Sequence, residues 1–396
     1  MASSATFRAE TRAWLEENCP PVMRTPMPAD ETVWGGRNPT WKFPEQKLWM
    51  DRMASRGWTL PTFPKQYGGG GLSLEEAQIL DEELRRIGAR PALQGMGQTM
   101  LAPVLLEYGT EAQKQEHLPA IIKGEIRWCQ GYSEPGAGSD LAGLQSRAVL
   151  QGDHFLVNAH KIWTSNAHYA DKIFCLVRTD PTVKKHEGIS FLLIDMAQPG
   201  VRARPIRLIS GASVFCETFV ENVQVPRENL LGELNKGWTI AKRLLEHERK
   251  SIGAIGDRQG ARNDAPAWEL AKLHAGVADG RIADGALREE IATYAIDAHA
   301  YQLTRRRAAD EAEAGKPPGP MSAMFKYYGT ELNKRRYEMI LAAEGTQGLG
   351  WEGDDFSADE LRWTREWLRS KANSIEGGTT EVQLNIIAKR VLGLPD

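Results

Sequence analysis

The amino-acid sequence predicts an α+β fold in three parts: a helical segment over residues 1–127, a β segment over 128–236 and a helical bundle over 237–396. Three observations carry that expectation. Apolar residues recur at three- and four-residue spacing in the first and last parts, the spacing shortens to two in the middle, and Gly- and Pro-rich runs punctuate the chain. With 396 residues there is enough chain for two or three domains, each burying its own core.

In the first part, helices are expected over Thr6–Asn18, Pro44–Arg56, Leu74–Arg86 and Ala112–Ile122. Ser73 followed by Glu76 is a capping-box signal for the third of these. The run Tyr67-Gly-Gly-Gly-Gly71 follows Pro64 rather than a strand and lacks G-x-G-x-x-G spacing, so it reads as a connector and not as a nucleotide loop. In the middle part, Phe155–Val157, Lys172–Val177, Ile189–Ile194 and Glu217–Val220 are rich in β-formers and separated by Gly, Asp, Asn and Pro turns. Strands so spaced, without intervening helices, predict a small antiparallel barrel or sandwich. After Gly237 the helical period returns near 238–251, 286–310, 322–343, 358–370 and 380–391, with Gly315–Pro320 breaking two of them apart. Long helices with short breaks read as a bundle.

Charge narrows the function. Lys and Arg number 49 against 52 Asp and Glu, a net −3, which argues against a nucleic-acid stripe or a polybasic membrane anchor. The one dense basic run, Arg305–Arg307, is followed by Asp310 and Glu311 a turn later, the pattern of a solvated helix face. Four widely spaced cysteines give no disulfide framework or zinc motif, and eight scattered histidines give no metal spacing. The longest apolar run, Ile189–Met196, is too short to span a membrane. Near the amino terminus there is no apolar signal core, so a cytoplasmic location is expected.

Chemistry concentrates in three segments. Trp128-Cys-Gln-Gly-Tyr-Ser-Glu-Pro-Gly-Ala-Gly-Ser-Asp140 combines a tight Pro-Gly turn, exposed backbone N–H groups and hydroxyl and carboxylate partners, a loop suited to an anion or the edge of a flavin ring. Lys161-Ile-Trp-Thr-Ser-Asn166 follows. Near the end, Ser374-Ile-Glu-Gly-Gly-Thr-Thr-Glu-Val-Gln383 places a Gly-Gly turn before a helix, where Thr380 with Gln383 reads as a capping box. The positive end of that helix suits a pyrophosphate or a developing enolate.

Together the three segments resemble the acyl-CoA dehydrogenase family over essentially the whole chain, in a bacterial branch that includes two-chain heterotetramers. The resemblance implies FAD, an acyl-CoA substrate, and transfer of electrons to an electron-transfer flavoprotein. It places Gln130, Tyr132, Ser133, Gly138, Ser139, Trp163, Thr164 and Ser165 at the flavin, with Ser139 also facing substrate. Arg288, Thr379 and Glu381 would complete the cofactor site, while Met96, Gln98, Arg249 and Gly377 would contact substrate.

α,β-Dehydrogenation needs a carboxylate over the α carbon and hydrogen bonds that stabilise enolate character on the thioester oxygen. Most of the family takes this base from a Tyr-Glu-Gly-Thr segment before the last helix. Here Gly377 falls at that position and Glu376 one residue early. Another branch uses a Glu on the helix that opens the carboxy-terminal bundle, and gapless counting from Gly237-Trp238 puts it at Glu248, followed by Arg249. Glu248 is therefore the expected base and Glu376 the alternative. The family's Arg-x-x-Phe-Gly segment is missing from Ser251–Ala286, and Ala342 stands where a flavin-contacting glutamine is usual. A homo-oligomer or a heterotetramer with a second dehydrogenase-like chain fits this pattern. So does a non-catalytic partner subunit of such an assembly; an oxygen-using flavin oxidase or monooxygenase of the same fold is a separate alternative, against which the two candidate carboxylates speak.

Overall fold

A computed structural model describes residues 4–245, 267–314, 316 and 319–395. The described chain divides into two compact units, one running to Ile206 and resuming at Val214, the other made of Arg207–Ser213 and the carboxy-terminal helices.

The first unit opens with helices α1 (Ser4–Asn18), α2 (Pro44–Ser55), α3 (Leu74–Arg86), α4 (Ala102–Tyr108) and α5 (Glu111–Ile122). The expected Ser73–Glu76 capping box starts α3, and a second box, Thr110 with Gln113, starts α5. Leu15, Trp49, Met53 and Leu80 form a core between α1, α2 and α3. At its edge Glu83 is buried and held by Arg8, Arg12 and Arg86, with the Arg12 hydrogen bonds foremost in pulling its carboxyl down to about 2.

Eight strands follow: β1 (Trp128–Gly131), β2 (Arg147–Gln151), β3 (His154–Ser165), β4 (Lys172–Arg178), β5 (Ile189–Asp195), β6 (Val201–Ile206), β7 (Phe215–Pro226) and β8 (Leu230–Leu231). They form a mixed sheet in the order β6-β7-β3-β2-β4-β5-β8. β1 lies parallel to β4, and β2 meets β4 through the single parallel pair Arg147–Arg178. This corrects the expected antiparallel barrel, because the sheet is mixed and its end strands β6 and β8 are not paired to each other. Period-two alternation reports which face a side chain occupies. It carries no information on whether a distant partner runs parallel or antiparallel.

β4 and β5 are nearly continuous apolar runs because both of their faces are covered. Phe174, Leu176, Phe191 and Leu193 pack with Leu105, Leu118 and Ile121 of the helices, while Ile173, Cys175, Leu192 and Ile194 pack with Phe155, Val157 and Val223. Helix α6, described over residues 237–245, adds Ile240 and Leu244 to the first of these cores. It begins at Gly237, where a Cβ would lie 2.5 Å from the Ser190 carbonyl carbon.

The second unit contains α7 (Ala267–His274), the two-residue strands β9 (Val277–Ala278) and β10 (Arg281–Ile282), α8 (Gly285–Glu313), α9 (Ser322–Glu344), α10 (Ala358–Ser370) and α11 (Thr380–Ile386). Helix α9 is central. Its Met339 and Ala343 pack on Ala271, Leu287 and Ile291, and its Tyr337 and Ile340 pack on Trp363 of α10. The N-cap of α11 is Thr379, whose hydroxyl accepts from Val382 N–H at 3.2 Å, so the expected Thr380–Gln383 box is corrected by one residue. Gln383 turns back instead and donates to the carbonyl of Gly377 at 3.3 Å.

Candidate functional site

The two middle segments meet. Ile162 N–H donates to the Ser133 carbonyl at 2.9 Å, joining the Gly-rich loop to β3. Beneath that contact lies a buried ion pair. Lys161 is fully buried, and its Nζ donates to Glu134 Oε1 at 2.7 Å and to the Tyr132 carbonyl at 3.2 Å. Glu134 also accepts from the backbone N–H groups of Gln145 at 2.6 Å and Ser146 at 2.9 Å. Burial works against its charge, but Lys161 and these donors outweigh that and hold the carboxyl below its ordinary range. A buried pair with its remaining lone pairs satisfied fixes where the loop after Tyr132 can go. Sequence reasoning missed it. The alternation Phe155, Val157, Ala159 along β3 carries an inward face on to Lys161, and that was the available signal.

Directly after Lys161 the ladder between β3 and β7 slips, with a register shift between Lys161 and Thr164. Trp163 sits in this irregularity at φ +60°, in the left-handed region, with 53% of its surface exposed and its ring edge-on to Phe215 at 6.2 Å. For a bulky side chain that backbone is uncommon and costs on the order of 1–3 kcal/mol. A bulge re-aims a side chain, and here it turns an indole out of the sheet. Thr164 points the other way. Its hydroxyl is buried and has no hydrogen-bond partner among the described residues. Asn166, also left-handed at φ +52°, ends the segment.

Ser133, in the Gly-rich loop, and Ser165, at the end of β3, are half-buried, and neither hydroxyl is bonded to another described residue. Gln130 is likewise half-buried. Gly138 is exposed, with open space where a Cβ would stand, and Ser139 beside it is exposed. Tyr132 is different. Its ring is buried edge-on against the stacked pair Phe174 and Phe191, so it anchors the loop from below. An outward-turned planar ring, two hydroxyls without a described partner and an exposed Gly138–Ser139 turn fit the polar edge and flat face of a flavin. Of the expected substrate contacts, Gln98 is buried and donates to the Ile121 carbonyl at 2.9 Å, while Met96 packs at the edge of the helix–sheet core.

In the second unit, the turn before α11 is built on α9. Lys326 Nζ donates to the Asn373 carbonyl at 2.9 Å, Asn333 donates to Asn373 Oδ1 at 2.8 Å and Lys334 donates to Ser374 Oγ at 3.2 Å. Burial pushes the Lys326 ammonium below its ordinary value. Gly377 and Gly378, at φ +63° and +91°, then turn the chain into the N-terminus of α11. Thr379 caps that helix and Glu381 lies in its first turn, where its own backbone N–H and Thr379 lower its carboxyl. Glu376 is engaged elsewhere: Arg369 reaches it at 2.7 Å and Asn373 at 2.7 Å. Arg288 donates to the Ile282 carbonyl at 2.7 Å. Glu248 and Arg249 lie outside the described residues. Glu344, which the sequence reading passed over, ends α9 with both carboxylate oxygens buried and without a hydrogen-bond partner among the described residues. Burial, then Glu360 and Asp359, raises it to about 7.

Comparison with known proteins agrees with this architecture. The chain matches the acyl-CoA dehydrogenase N-terminal domain over residues 2–125, the middle domain over 129–223 and the C-terminal domain over 235–392. It is 34% identical to the acyl-CoA dehydrogenase IpdE1 of Mycolicibacterium smegmatis, covering 98% of this chain and 97% of that one. Among solved structures it is similar to the Tcur3481-Tcur3483 steroid ACAD, with TM-score 0.77 and 30% identity over 100% of this chain and 98% of the other. It is also similar to the ChsE4-ChsE5 complex from Mycobacterium tuberculosis, with TM-score 0.71 and 28% identity over 100% and 98%. Among the described residues no helix is long and apolar enough to cross a membrane. The chain belongs to the acyl-CoA dehydrogenase family, oxidoreductases that act on CH–CH bonds.

Proposed function

We propose that this chain is a catalytic subunit that uses FAD to convert an acyl-CoA thioester to its trans-2-enoyl-CoA in the cytoplasm, passing the electrons to an electron-transfer flavoprotein. The observation that carries the reading is Trp163, held in a strained backbone and turned outward on the strand whose Ile162 N–H donates to the Ser133 carbonyl. A loop kept for its fold alone gains nothing from that strain. FAD bound there supplies the acceptor for the hydride that leaves the β carbon.

The chain's own part is proton chemistry and positioning. Glu248 removes the α proton, and Arg249 beside it holds local charge. Glu376 is the weaker candidate, because a carboxylate already engaged by Arg369 and Asn373 would have to give up both partners before it could accept a proton. Gln130, Ser133, Gly138, Trp163 and Ser165 bind the flavin ring, Thr164 contributes only through its backbone, and Thr379, Glu381 and Arg288 serve the remainder. Ser139, Gly377, Met96 and Gln98 line the substrate's path. Two similar structures are named for two components, and one of these is named for a steroid. That supports a bulky polycyclic acyl-CoA as substrate, and a heterotetramer beside the homo-oligomer as the working assembly.

The test is anaerobic incubation of the purified chain with a panel of fatty, branched, dicarboxylic and steroid side-chain acyl-CoAs. Bleaching of a yellow protein, with loss of two hydrogens from one thioester, is the expected result. A colourless chain that changes none of them would overturn it in favour of the partner-subunit reading.

A further inference from the structure

Strand β4 ends on a charge. Its apolar run Ile173–Val177 closes on Arg178, which is only 7% exposed and spends its guanidinium on backbone carbonyls. Nη1 donates to the Lys185 carbonyl at 2.6 Å, and Nη2 to the carbonyls of Ala142 at 2.6 Å and Leu144 at 3.3 Å. Its own N–H donates to the Ser146 carbonyl at 2.6 Å. A buried charge is costly unless its donors are satisfied, and here they join two irregular segments whose carbonyls no ladder pairs.

The first segment is the end of the Gly-rich loop. Gly143 N–H donates to the Asp140 carbonyl at 2.9 Å and Leu144 N–H to the Leu141 carbonyl at 3.1 Å, a short closed turn with Ser139 exposed at its start. Glu134 grips it through the N–H groups of Gln145 and Ser146, and Arg178 grips its carbonyls. The second segment is the loop 179–188. Its base is tied to the residues before α6, where Thr179 Oγ1 and Ser190 Oγ share a hydrogen bond of 2.7 Å and Ser190 Oγ accepts from Asn235 N–H at 2.8 Å. Lys185 Nζ closes the ring on Asp140 at 2.7 Å, but those side chains are 51% and 65% exposed, so that pair adds little and the buried guanidinium does the holding. Trp163 and Ser165 lie on β3, which is tied to the Gly-rich loop through Lys161–Glu134 and Ile162–Ser133 and not through Arg178. We propose that Arg178 is a positioning residue for the thioester: it fixes the Ser139–Leu144 turn against loop 179–188 and so sets the edge that Ser139 turns toward substrate. The inference rests on the dehydrogenase reading above, in which Ser139 lines the substrate's path. One loop then has two clamps, Glu134–Lys161 for its flavin end and Arg178 for its substrate end.

Anaerobic bleaching of the flavin-loaded chain separates the two clamps. Its rate against the concentration of whichever acyl-CoA of the panel above bleaches wild type gives a half-saturating concentration and a limiting rate. Arg178→Met is expected to raise the half-saturating concentration at least fivefold, with the limiting rate within twofold and the flavin content unchanged. Arg178→Lys, whose single ammonium reaches one segment only, is expected to fall between, and it carries the test if Arg178→Met does not fold. Hydrogen exchange of the substrate-free holoprotein, followed by mass spectrometry, is expected to quicken at least tenfold over 140–146 and 180–187 in these variants and to stay unchanged over 161–166. The inference is overturned if the variants keep the wild-type half-saturating concentration, if the limiting rate falls instead, if flavin is lost alongside, or if exchange quickens equally over 161–166. A wild type bleached by none of the panel overturns the dehydrogenase reading itself, and this inference with it.

Discussion

At the scale of single residues, two side chains sit where folding alone would not put them. Trp163 holds a left-handed backbone and exposes half of its ring. Trp163→Gly removes the conformational penalty, so flavin-free protein is expected to melt no lower than wild type and to gain up to about 1 kcal/mol. The same change should lower flavin retained through purification several-fold. Thermal melts and flavin content of the same preparations check both parts. Glu344 is the second. Its folded carboxyl is raised to about 7 by burial first and by Glu360 and Asp359 next. Raised above the unfolded value of about 4.3, it contributes stability that is fully present at pH 4 and lost as pH rises through 7. Glu344→Gln is therefore expected to gain on the order of 2–3 kcal/mol at pH 8 and nothing at pH 4, as denaturant titrations at the two pH values will show.

Among elements, the Glu134–Lys161 pair ties the Gly-rich loop to β3, and the irregularity that turns Trp163 outward begins at the next residues. Lys161→Met leaves Glu134 buried and uncompensated, with an expected loss of about 3–5 kcal/mol, whereas changing both residues to apolar ones should recover much of it. A double-mutant cycle in urea measures that difference. Helices with caps and a clear period, such as α3 over Leu74–Arg86, were legible to the residue from the sequence. Strands β4 and β5 were legible because both faces are apolar. β2 and β6 were not, since charged or amide residues interrupt short apolar runs and neither strand is buried along its length. The helix start at Thr379 was misplaced by one because two adjacent threonines offer the same cap. The bond from Val382 N–H to the Thr379 hydroxyl and the direction in which Gln383 turns distinguish them.

For the whole molecule, the order of helical, β and helical regions was legible because each region has its own hydrophobic period, and those periods follow from local geometry. The sheet's mixed topology was not, since it depends on partners more than forty residues apart such as Trp128 and Lys172. The site divides in the same way. The Gly-rich loop, Trp163 and the Gly377–Gly378 turn were visible as motifs. The Glu134–Lys161 pair that holds the Gly-rich loop and the engagement of Glu376 by Arg369 are long-range or conformational facts that only three-dimensional packing reveals. The central claim, that this chain itself performs α,β-dehydrogenation with Glu248 as base, is tested most directly by anaerobic titration of wild type, Glu248→Gln and Glu376→Gln with the thioester that bleaches wild type. Bleaching slowed by about 10³-fold or more in Glu248→Gln alone is the predicted result. Full bleaching in Glu248→Gln, or its loss only in Glu376→Gln, would contradict it.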